Sequence, residues 1–585
     1  MKKQPDKEKK ELVGDNDLGI PYTTVVNRWI INATKSLLGI DKLNALYESM
    51  GDLEGEDFAS GILQKLGTKV EIAEGALRNI PEEGAFVLIS NYPHGALDGL
   101  LFIDTVIKKR PDTKFLGNFI LSRTALLEKF FIEIDHAGVK KSNYSGTRKA
   151  IEHIRNGSPL IIFPAGDIST YYGIPSKLQD GAWNNSMMKF VRKLNVPVIP
   201  AFIEGKNSVK FHLVGKLNPV FRTLCIPLEL LNKKGYTSKI EIGDALTSDI
   251  LTPLRSIKEY SDFLRINVYC LRARLLSSDG DVKNSNDELD VISRGKLSVN
   301  DEELAKEISG FRAEFLFDIQ GDIEVFYIPP EQMSTVPEAV KELLTIVHET
   351  REKSKKNEAE KEEMDFYGLL FVWDNRQNSM VAGIRIAEGD KLMQDIGVKA
   401  FRAYDDFEFS PKFNPILRQT IEMEVLFIAK EYTLHNSWAL LRKGLHRFFE
   451  KKPDYRYIIG ATIILEDYSP GSKWLIMNYL RKFFIDKKWS RCVVPRHSMS
   501  YIGKAYMDKK LLKSIPSFEL MDRLIRDIDP AHDGMPFVLK EFLLAGGKIL
   551  GIVQRQEATK PLVAWVLIDI KFSGREENNT QELPI

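Results

Sequence analysis

The sequence predicts an α/β protein built from two α/β domains in succession. Three observations support this. Short apolar runs alternate with helical stretches over residues 75–275, the same alternation returns after residue 305, and a polar segment separates the two regions. The chain of 585 residues is also longer than one hydrophobic core normally serves.

Composition narrows the function classes. The 82 basic and 81 acidic residues nearly cancel, which argues against a dedicated nucleic-acid-binding protein. Three cysteines, Cys225, Cys270 and Cys492, are far apart and lack metal-ligand spacing, so we expect a reducing, cytoplasmic compartment and no metal site. The sequence has no long apolar run and opens on charged residues, so we expect any membrane contact to be peripheral, on the inner face of the cytoplasmic membrane.

The N-terminal region carries two expectations. Residues 1–18 are highly charged and are expected to form a disordered tail. In residues 19–74, apolar side chains recur at helical spacing between Thr23 and Leu46, which predicts a helical segment. Two interpretations stay open: the helix packs on its own domain, or it lies on a bilayer with Trp29 at the interface.

Residues 75–275 form the first predicted domain and residues 306–572 the second. The predicted strands are Ala85–Ile89, Leu160–Phe163, Val198–Ile203, Ile323–Ile328, Gly368–Trp373, Met380–Ile386 and Met423–Ile428. Residues 276–305 are rich in Gly, Ser, Asn and Asp without a clear period, which is typical of a linker. Residues 573–585 are polar and are expected to fray.

The first chemical motif follows strand Ala85–Ile89. Residues Asn91–Gly99 read Asn-Tyr-Pro-His-Gly-Ala-Leu-Asp-Gly, which indicates a tight turn that opens a helix. His94 and Asp98 are four residues apart, and on a helix they would share one face. A histidine oriented by a carboxylate is the usual general base for a hydroxyl group. We therefore predict His94 as the base, with Asp98 holding its tautomer.

A second turn of this kind follows the strand that ends at Phe163. The turn consists of Phe163, Pro164, Ala165, Gly166, Asp167, Ile168 and Ser169. Gly166 would let backbone amides approach a substrate oxygen, and Ser169 would cap a following helix or bind a polar head group. The repeated strand-then-turn pattern predicts an enzyme.

These motifs belong to four sequence blocks that resemble the glycerophosphate and lysophospholipid acyltransferase superfamily, in the branch with hemolysin-type and aminolipid-forming members. The blocks are Asn91–Gly99, Leu116–Ile120 with Arg123, Phe163–Ser169, and Val196–Pro200 with Phe202–Ser208. The branch often has His at the position of Tyr92, whereas here a histidine follows two positions later as His94. The resemblance implies a glycerophosphate-acyltransferase-like N-terminal domain.

The resemblance also implies a reaction and a set of binding residues. His94 would remove a proton from an acceptor hydroxyl, which would attack an acyl thioester, and groups near Gly166 would stabilise the oxyanion. The implied substrate-binding residues are Asn118, Arg123, Phe163, Pro164, Gly166, Asp167, Ser169 and Pro200. Arg123 would pair with a phosphate or carboxylate, or else with Glu128 or Glu133 on a helix face.

Residues 310–570 resemble the N-acyltransferase fold shared by GNAT proteins, acyl-homoserine lactone synthases and enzymes that N-acylate ornithine. The segments that carry this resemblance include Glu324–Tyr327, Leu370–Asp374, Val381–Ile386, Glu422–Tyr432, Leu440–Leu445 and Pro536–Lys540. It implies that Glu422 accepts the proton of an attacking amine, although Val425 stands where the ornithine subgroup has Arg. The alternative is that Glu422 is an ordinary charge at a strand end.

The second domain also carries expectations about the acyl donor. The pyrophosphate loop of ordinary GNAT enzymes is not evident, which favours a thioester on an acyl carrier protein over coenzyme A. A basic stretch would suit such an acidic carrier, or would be an ordinary solvated helix face. It consists of Arg442, Lys443, His446, Arg447, Lys451 and Lys452. No cofactor is expected, because acyl-ACP or acyl-CoA enters as co-substrate.

Together the two domains resemble bifunctional ornithine-lipid synthases of bacteria. The implied function is two-step synthesis of a phosphorus-free aminolipid, ornithine or glycine lipid, by N-acylation of an amino acid and O-acylation of the lyso-lipid. The expected partners are an acyl carrier protein, the amino acid and lyso-lipid substrates, and a membrane surface. Two alternatives stay open: a lysophospholipid acyltransferase with a non-catalytic carrier-binding second domain, or a non-catalytic membrane-associated protein.

Overall fold

The computed structural model describes residues 39–73, 75–117, 126–134, 142–172, 177–217, 225–277, 292–293, 301–335, 366–428, 434–464, 468–496, 512, 515, 517–529, 532–554 and 562–573. The chain divides into two compact units, residues 1–280 with 506–520, and residues 281–505 with 521–585. Each unit contains its own sheet with helices, so the predicted class of two successive α/β domains is confirmed. Several sequence predictions lie outside the described residues: Asn118, Arg123, both predicted tails except Ser573, most of the predicted linker, and the predicted helix before Gly39.

The first unit contains nine described strands. They are β1 (Lys69–Ile72), β2 (Val87–Ser90), β3 (Lys114–Leu116), β4 (Phe131–Ile132), β5 (Leu160–Ile162), β6 (Thr170–Tyr172), β7 (Lys177–Gln179), β8 (Val198–Ile203) and β9 (Thr237–Ile242). Its described α-helices are α1 (Ile40–Glu48), α2 (Gly55–Leu66), α3 (Ala96–Phe102), α4 (Ser142–Arg155), α5 (Asn185–Leu194), α6 (Val209–Leu217), α7 (Ile226–Leu231), α8 (Ser248–Leu251) and α9 (Ile257–Ser277).

Seven of these strands form one sheet in the order β1-β9-β8-β2-β5-β3-β4, and β6 pairs with β7. Strand β2 lies in the middle and pairs in parallel with β5 on one side and β8 on the other. All four residues of β2 are buried, as expected for a strand in a parallel sheet covered on both faces. Because parallel strands end at the same edge of the sheet, the turns after β2, β5 and β8 come together there.

The second unit contains the remaining described strands. They are β10 (Ile292–Ser293), β11 (Leu316–Gln320), β12 (Ile323–Ile328), β13 (Gly368–Asp374), β14 (Ser379–Glu388), β15 (Phe407–Phe409), β16 (Thr420–Ile428), β17 (Tyr457–Ile464), β18 (Val493–Pro495), β19 (Lys548–Gln554) and β20 (Leu562–Asp569). The described α-helices are α10 (Asp301–Phe315), α11 (Gly389–Asp395), α12 (Ala403–Asp406), α13 (Asn414–Arg418), α14 (Leu434–Lys451), α15 (Pro470–Phe483), α16 (Phe518–Ile528), α17 (Phe537–Leu544) and α18 (Ile570–Ser573).

Most of these strands form one sheet in the order β11-β12-β13-β14-β16-β17-β20-β19, and β10 pairs with β16. Along this order the pairs are antiparallel except β16 with β17, which helix α14 connects. The register of this parallel pair covers only Thr420–Met423 and Tyr457–Gly460, although both strands continue beyond it. The two strands therefore stop pairing just after Met423, the residue that follows Glu422.

No helix within the described ranges is both long enough and apolar enough to cross a membrane.

Candidate active site

The turn after β2 carries His94 into the interior of the first unit, where its exposure is 2%. The Nε2 atom of His94 lies 3.4 Å from the carbonyl oxygen of Glu204, and the ring packs edge-on against Tyr236. The side chain of Asn207 also hydrogen-bonds to the ring, and which ring nitrogen carries the proton depends on the tautomer. Burial, helped by the nearby Lys233 ammonium, lowers the pKa of His94 to about 3, so the imidazole is neutral near pH 7.

Asp98 does not perform the predicted task of holding the ring. Its Oδ2 atom accepts the backbone N–H groups of His94 and Gly95, each at 2.8 Å. The prediction failed because it placed His94 on the helix, whereas α3 begins only at Ala96 after Gly95 at φ +89°. Asp98 therefore lies in the first turn and reaches back to N–H groups that precede the helix. The carbonyl of Glu204 takes over the orientation of His94.

A buried lysine that the sequence did not indicate, Lys233, lies near His94 and Asp98. The Nζ atom of Lys233 donates to the carbonyl of Lys206 at 2.5 Å and lies 4.9 Å from the centre of the Tyr236 ring. Its positive charge lowers the pKa of both His94 and Asp98, whereas burial raises the pKa of Asp98 to about 8. No local signal marks this lysine, since it belongs to an ordinary polar turn of the sequence.

Asp180 connects the turn after β2 to the turn after β5, and the sequence analysis missed it as well. Its carboxylate accepts the N–H of Tyr92 at 3.2 Å, the hydroxyl of Ser169 at 2.6 Å and the indole N–H of Trp183 at 3.1 Å. The N–H of Ser169 also donates to the carbonyl of Tyr92 at 2.7 Å. The two turns are thereby fixed against each other, and the ring of Tyr92 stacks on Phe163 at 4.4 Å.

The remaining predicted binding residues fall into two groups. Phe163, Pro164, Ser169 and Pro200 are buried, whereas Gly166 and Asp167 are exposed. Ser169 does not cap a helix, because strand β6 follows it and its hydroxyl donates to Asp180. Pro200 lies inside the sheet, opposite Ile89 of β2. The structure thus leaves Gly166 and Asp167 accessible and uses Ser169 within the fold.

The turn after β8 completes the surroundings of His94. The backbone of Gly205 passes so close that a Cβ atom there would lie 2.0 Å from Nε2 of His94 and 2.9 Å from the Tyr236 hydroxyl. Two residues on, the side-chain amide of Asn207 donates to the backbone carbonyl of His94 at 3.2 Å. Residues of the loop after β8 and of the turn just before β9 therefore surround one neutral histidine that follows β2.

In the second unit, Glu422 lies on β16 between β14 and β17 and is fully buried. Its carboxylate accepts the hydroxyl of Tyr367 at 2.6 Å and the backbone N–H groups of Arg402 and Ala403, both at 3.1 Å. Burial raises the pKa of Glu422 to about 7, even though these donors oppose the shift. The carboxyl is therefore not an edge charge, and near neutral pH it can both accept and release a proton.

A cavity of about 220 Å³ lies beside this carboxylate. Its lining consists of Phe366, Tyr367, Ile396, Lys399, Ala400 and Arg402. Tyr367 and Arg402 line this cavity and also donate hydrogen bonds to the carboxylate of Glu422. The Arg402 guanidinium is held by Glu424 at 3.0 Å, and Arg385 joins the same carboxylate at 3.3 Å.

Comparison with known proteins bears on the first unit. Residues 24–278 match the family described as acyltransferase. The lyso-glycine lipid O-acyltransferases of Phocaeicola vulgatus and Bacteroides thetaiotaomicron are each 24% identical to this chain over 255 residues. The aligned part is 42% of this chain and covers 88% and 91% of the two relatives. Residues 24–278 therefore carry an acyltransferase domain, and the protein is an enzyme of the acyltransferase class.

Proposed function

We propose that the first unit O-acylates the hydroxyl of a lyso-aminolipid, an N-(3-hydroxyacyl) amino acid. The observation that carries this proposal is the buried, neutral His94, whose Nε2 faces the Glu204 carbonyl. The names of the two relatives support glycine as the amino acid.

The proposed reaction uses the tautomer with its proton on Nε2 and its lone pair on Nδ1. Nδ1 of His94 takes the proton of the acceptor hydroxyl while the oxygen attacks the thioester carbonyl carbon of acyl-ACP or acyl-CoA. The carbon–sulfur bond then breaks, and the leaving thiolate takes the proton back from Nδ1. No covalent enzyme intermediate is needed because the thioester is already activated. The predicted oxyanion donors around Gly166 are partly engaged, because the N–H of Gly166 donates to the carbonyl of Phe163 at 3.0 Å and that of Ile168 to the Asp167 carboxylate at 2.8 Å.

The test is an assay of the purified full chain with acyl-ACP and N-(3-hydroxyacyl)glycine. His94→Ala should lose at least about 100-fold in kcat, as expected for loss of a general base. His153→Ala is the matched control, because His153 also faces a backbone carbonyl through Nε2, that of Pro159 at 3.1 Å, but lies on α4. Equal rates for the two variants would contradict the role of His94.

A second function is proposed for the second unit: N-acylation of an amino acid with a 3-hydroxyacyl thioester. The observation that favours it is the buried Glu422 beside the cavity that Lys399 and Arg402 line. A carboxyl with a pKa of about 7 is suited to take a proton from an amine at neutral pH. The exposed Lys399 would attract the carboxylate of an amino acid, since the Arg402 guanidinium is already paired with Glu424.

The donor for both steps is proposed to be an acyl carrier protein. Arg442 and Lys443 on α14 are exposed and suit an acidic partner. Other members of the basic stretch are partly engaged within the unit, because Arg447 pairs with Glu450 and Lys452 pairs with Glu388. We propose that the enzyme works at the inner face of the cytoplasmic membrane, where its lipid-like intermediate and product would reside.

Expression in a bacterium that lacks aminolipids separates the two steps. The full chain should yield a diacyl aminolipid, His94→Ala its lyso form, and Glu422→Gln neither. Glu324→Gln is the control, since Glu324 is equally buried on β12 of the same sheet. Supplying N-(3-hydroxyacyl)glycine to the Glu422→Gln strain should restore the diacyl lipid. If the chain instead acylates only lysophospholipids, the first unit is a lysophospholipid acyltransferase and both proposals fail.

A further inference from the structure

Helix α6 leaves two large aliphatic side chains in solvent on one face. Val209 is 70% exposed and Leu213 is 57% exposed, and their spacing of four residues places this aliphatic pair on one side of the helix. Among the described residues of the first unit, Leu53 is the only other large apolar residue that is exposed, at 40%. Single exposed aliphatic residues are ordinary, whereas a pair that protrudes from one helix face is typical of a contact surface.

The aliphatic pair belongs to a helix that is held firmly in the unit. The Ser208 hydroxyl caps α6 by accepting the N–H of Phe211 at 3.2 Å, and it donates to the carboxylate of Glu229 at 2.5 Å. Phe211 and His212 are buried, and the His212 ring packs edge-on against Tyr171 with 4.8 Å between the ring centres. The helix therefore buries one face and presents the aliphatic pair on the other.

Helix α6 packs at the sheet edge that carries the proposed base. It begins two residues after Asn207, whose side-chain amide donates to the backbone carbonyl of His94 at 3.2 Å. Tyr171, which contacts the buried face of α6, lies on β6, the strand that follows the turn around Gly166. The aliphatic pair therefore lies on the outer face of an element that is attached to the turns after β2 and β5.

Positive charge borders the aliphatic pair. Lys206 and Lys210 are exposed, one just before the helix and one in its first turn. Aliphatic side chains bordered by lysines suit a membrane interface, where the aliphatic groups enter the acyl-chain region and the ammonium groups meet anionic phosphates. An acidic carrier protein would also attract lysines. The proposed acceptor and product are both lipids, however, and they need an apolar phase beside the site.

We propose that the α6 face formed by Lys206, Val209, Lys210 and Leu213 docks the first unit on an anionic phospholipid surface. This inference rests on the proposed O-acylation for the identity of the lipid that the surface delivers. Docking at this face places the bilayer beside the turns that hold His94. The long acyl chain of the acceptor can then stay in the bilayer while its hydroxyl reaches the base.

The test is co-sedimentation of the purified full chain with vesicles of phosphatidylcholine and phosphatidylglycerol. The double variant Val209→Ser/Leu213→Ser should bind at least about 10-fold more weakly than the wild type, because two aliphatic side chains lose their apolar contact. Lys206→Gln/Lys210→Gln should lose about fivefold per lysine on these vesicles and change little on phosphatidylcholine alone. Leu53→Ser is the matched control, since it removes an exposed aliphatic side chain between α1 and α2, and it should bind as the wild type does.

A kinetic measurement separates docking from folding. The serine double variant should acylate the water-soluble N-(3-hydroxybutanoyl)glycine at the wild-type rate but lose rate on a long-chain acceptor embedded in vesicles. A wild type that does not bind vesicles overturns the inference, as does unchanged binding in both double variants. If the serine variant does not fold, the lysine variant decides alone.

Two further results have distinct meanings. Weaker binding of the acyl carrier protein by the double variants, with vesicle binding intact, would assign this face to the carrier and would overturn the inference. Failure of the proposed function gives a different result, because vesicle binding would then still depend on the α6 face although neither acceptor is acylated.

Discussion

Replacing Gly205 with alanine should disable the first unit without unfolding it. The added Cβ would lie 2.0 Å from Nε2 and 2.1 Å from Cε1 of His94, whereas carbon and nitrogen atoms in contact prefer about 3.5 Å. The ring must therefore move by roughly 1.5 Å, or the loop after β8 must shift by as much. The Tyr236 hydroxyl, 2.9 Å from the same position, restricts a shift of the new methyl group in its own direction.

The size of the effect follows from how steeply catalysis depends on position. A misplacement of 1 Å costs about 100-fold in rate, so kcat for O-acylation should fall by at least about 100-fold, or about 2.7 kcal/mol in activation free energy. KM for the acyl donor should change little, because the displaced group acts on the proton of the acceptor. The measurement is the initial rate of diacyl lipid formation from N-(3-hydroxyacyl)glycine, with Tm recorded in parallel.

Gly157→Ala is the matched control. Gly157 also has a positive φ, +85°, but a Cβ there would meet no atom within 4 Å. That variant should lose about 1–2 kcal/mol of stability through backbone strain and keep its specific activity. If Gly205→Ala retains kcat within threefold of the wild type while remaining folded, His94 is not the base and the assigned geometry is wrong.

Three further predictions concern buried carboxyl groups. The pKa of Glu422 is raised from 4.5 to about 7 in the folded state, so the folded protein binds a proton between these pH values that the unfolded chain has lost. The free energy of unfolding should therefore fall by about 3 kcal/mol as pH rises through this window. Glu422→Gln should flatten that decline in a series of Tm measurements against pH. Tyr367→Phe removes a hydrogen bond that lowers this pKa, so the midpoint of the N-acylation pH–rate profile should move upward, and an unchanged midpoint would refute the coupling. Asp180→Ala should lower the free energy of unfolding of the first unit by about 3 kcal/mol in urea titrations, because three hydrogen-bond donors lose their acceptor. The control is Asp112→Ala at an exposed site, which should lower the free energy of unfolding far less.

Local patterns in the sequence predicted much of the fold. The apolar run Val198–Ile203 became strand β8 with the same bounds, and Ile323–Ile328 became β12. Such runs are recognisable because a strand buried on both faces needs apolar residues throughout, whichever strands lie beside it. The start of β2 was predicted two residues early, at Ala85 instead of Val87, since strand ends depend on pairing partners that the local pattern does not contain.

The site was predicted less completely, for a physical reason. His94 was found because an imidazole after a strand is a chemical signal in itself. The group that orients it was predicted incorrectly, since the Glu204 carbonyl is main chain, present at every residue, and 110 positions away. Asp180 and Lys233 were missed for a similar reason, because their partners at Tyr92 and Lys206 are 88 and 27 residues distant.

By itself, the sequence determined the two α/β domains, the turns at the ends of their strands and the residue types available there for acyl transfer. Only the tertiary structure decided which of these residues meet, which carbonyl His94 faces, and that Asp98 binds the backbone instead of the ring. The division is physical. Strand and turn formation depends on neighbours within a few residues, whereas hydrogen-bond partners and pKa values depend on atoms that folding brings together from distant parts of the chain.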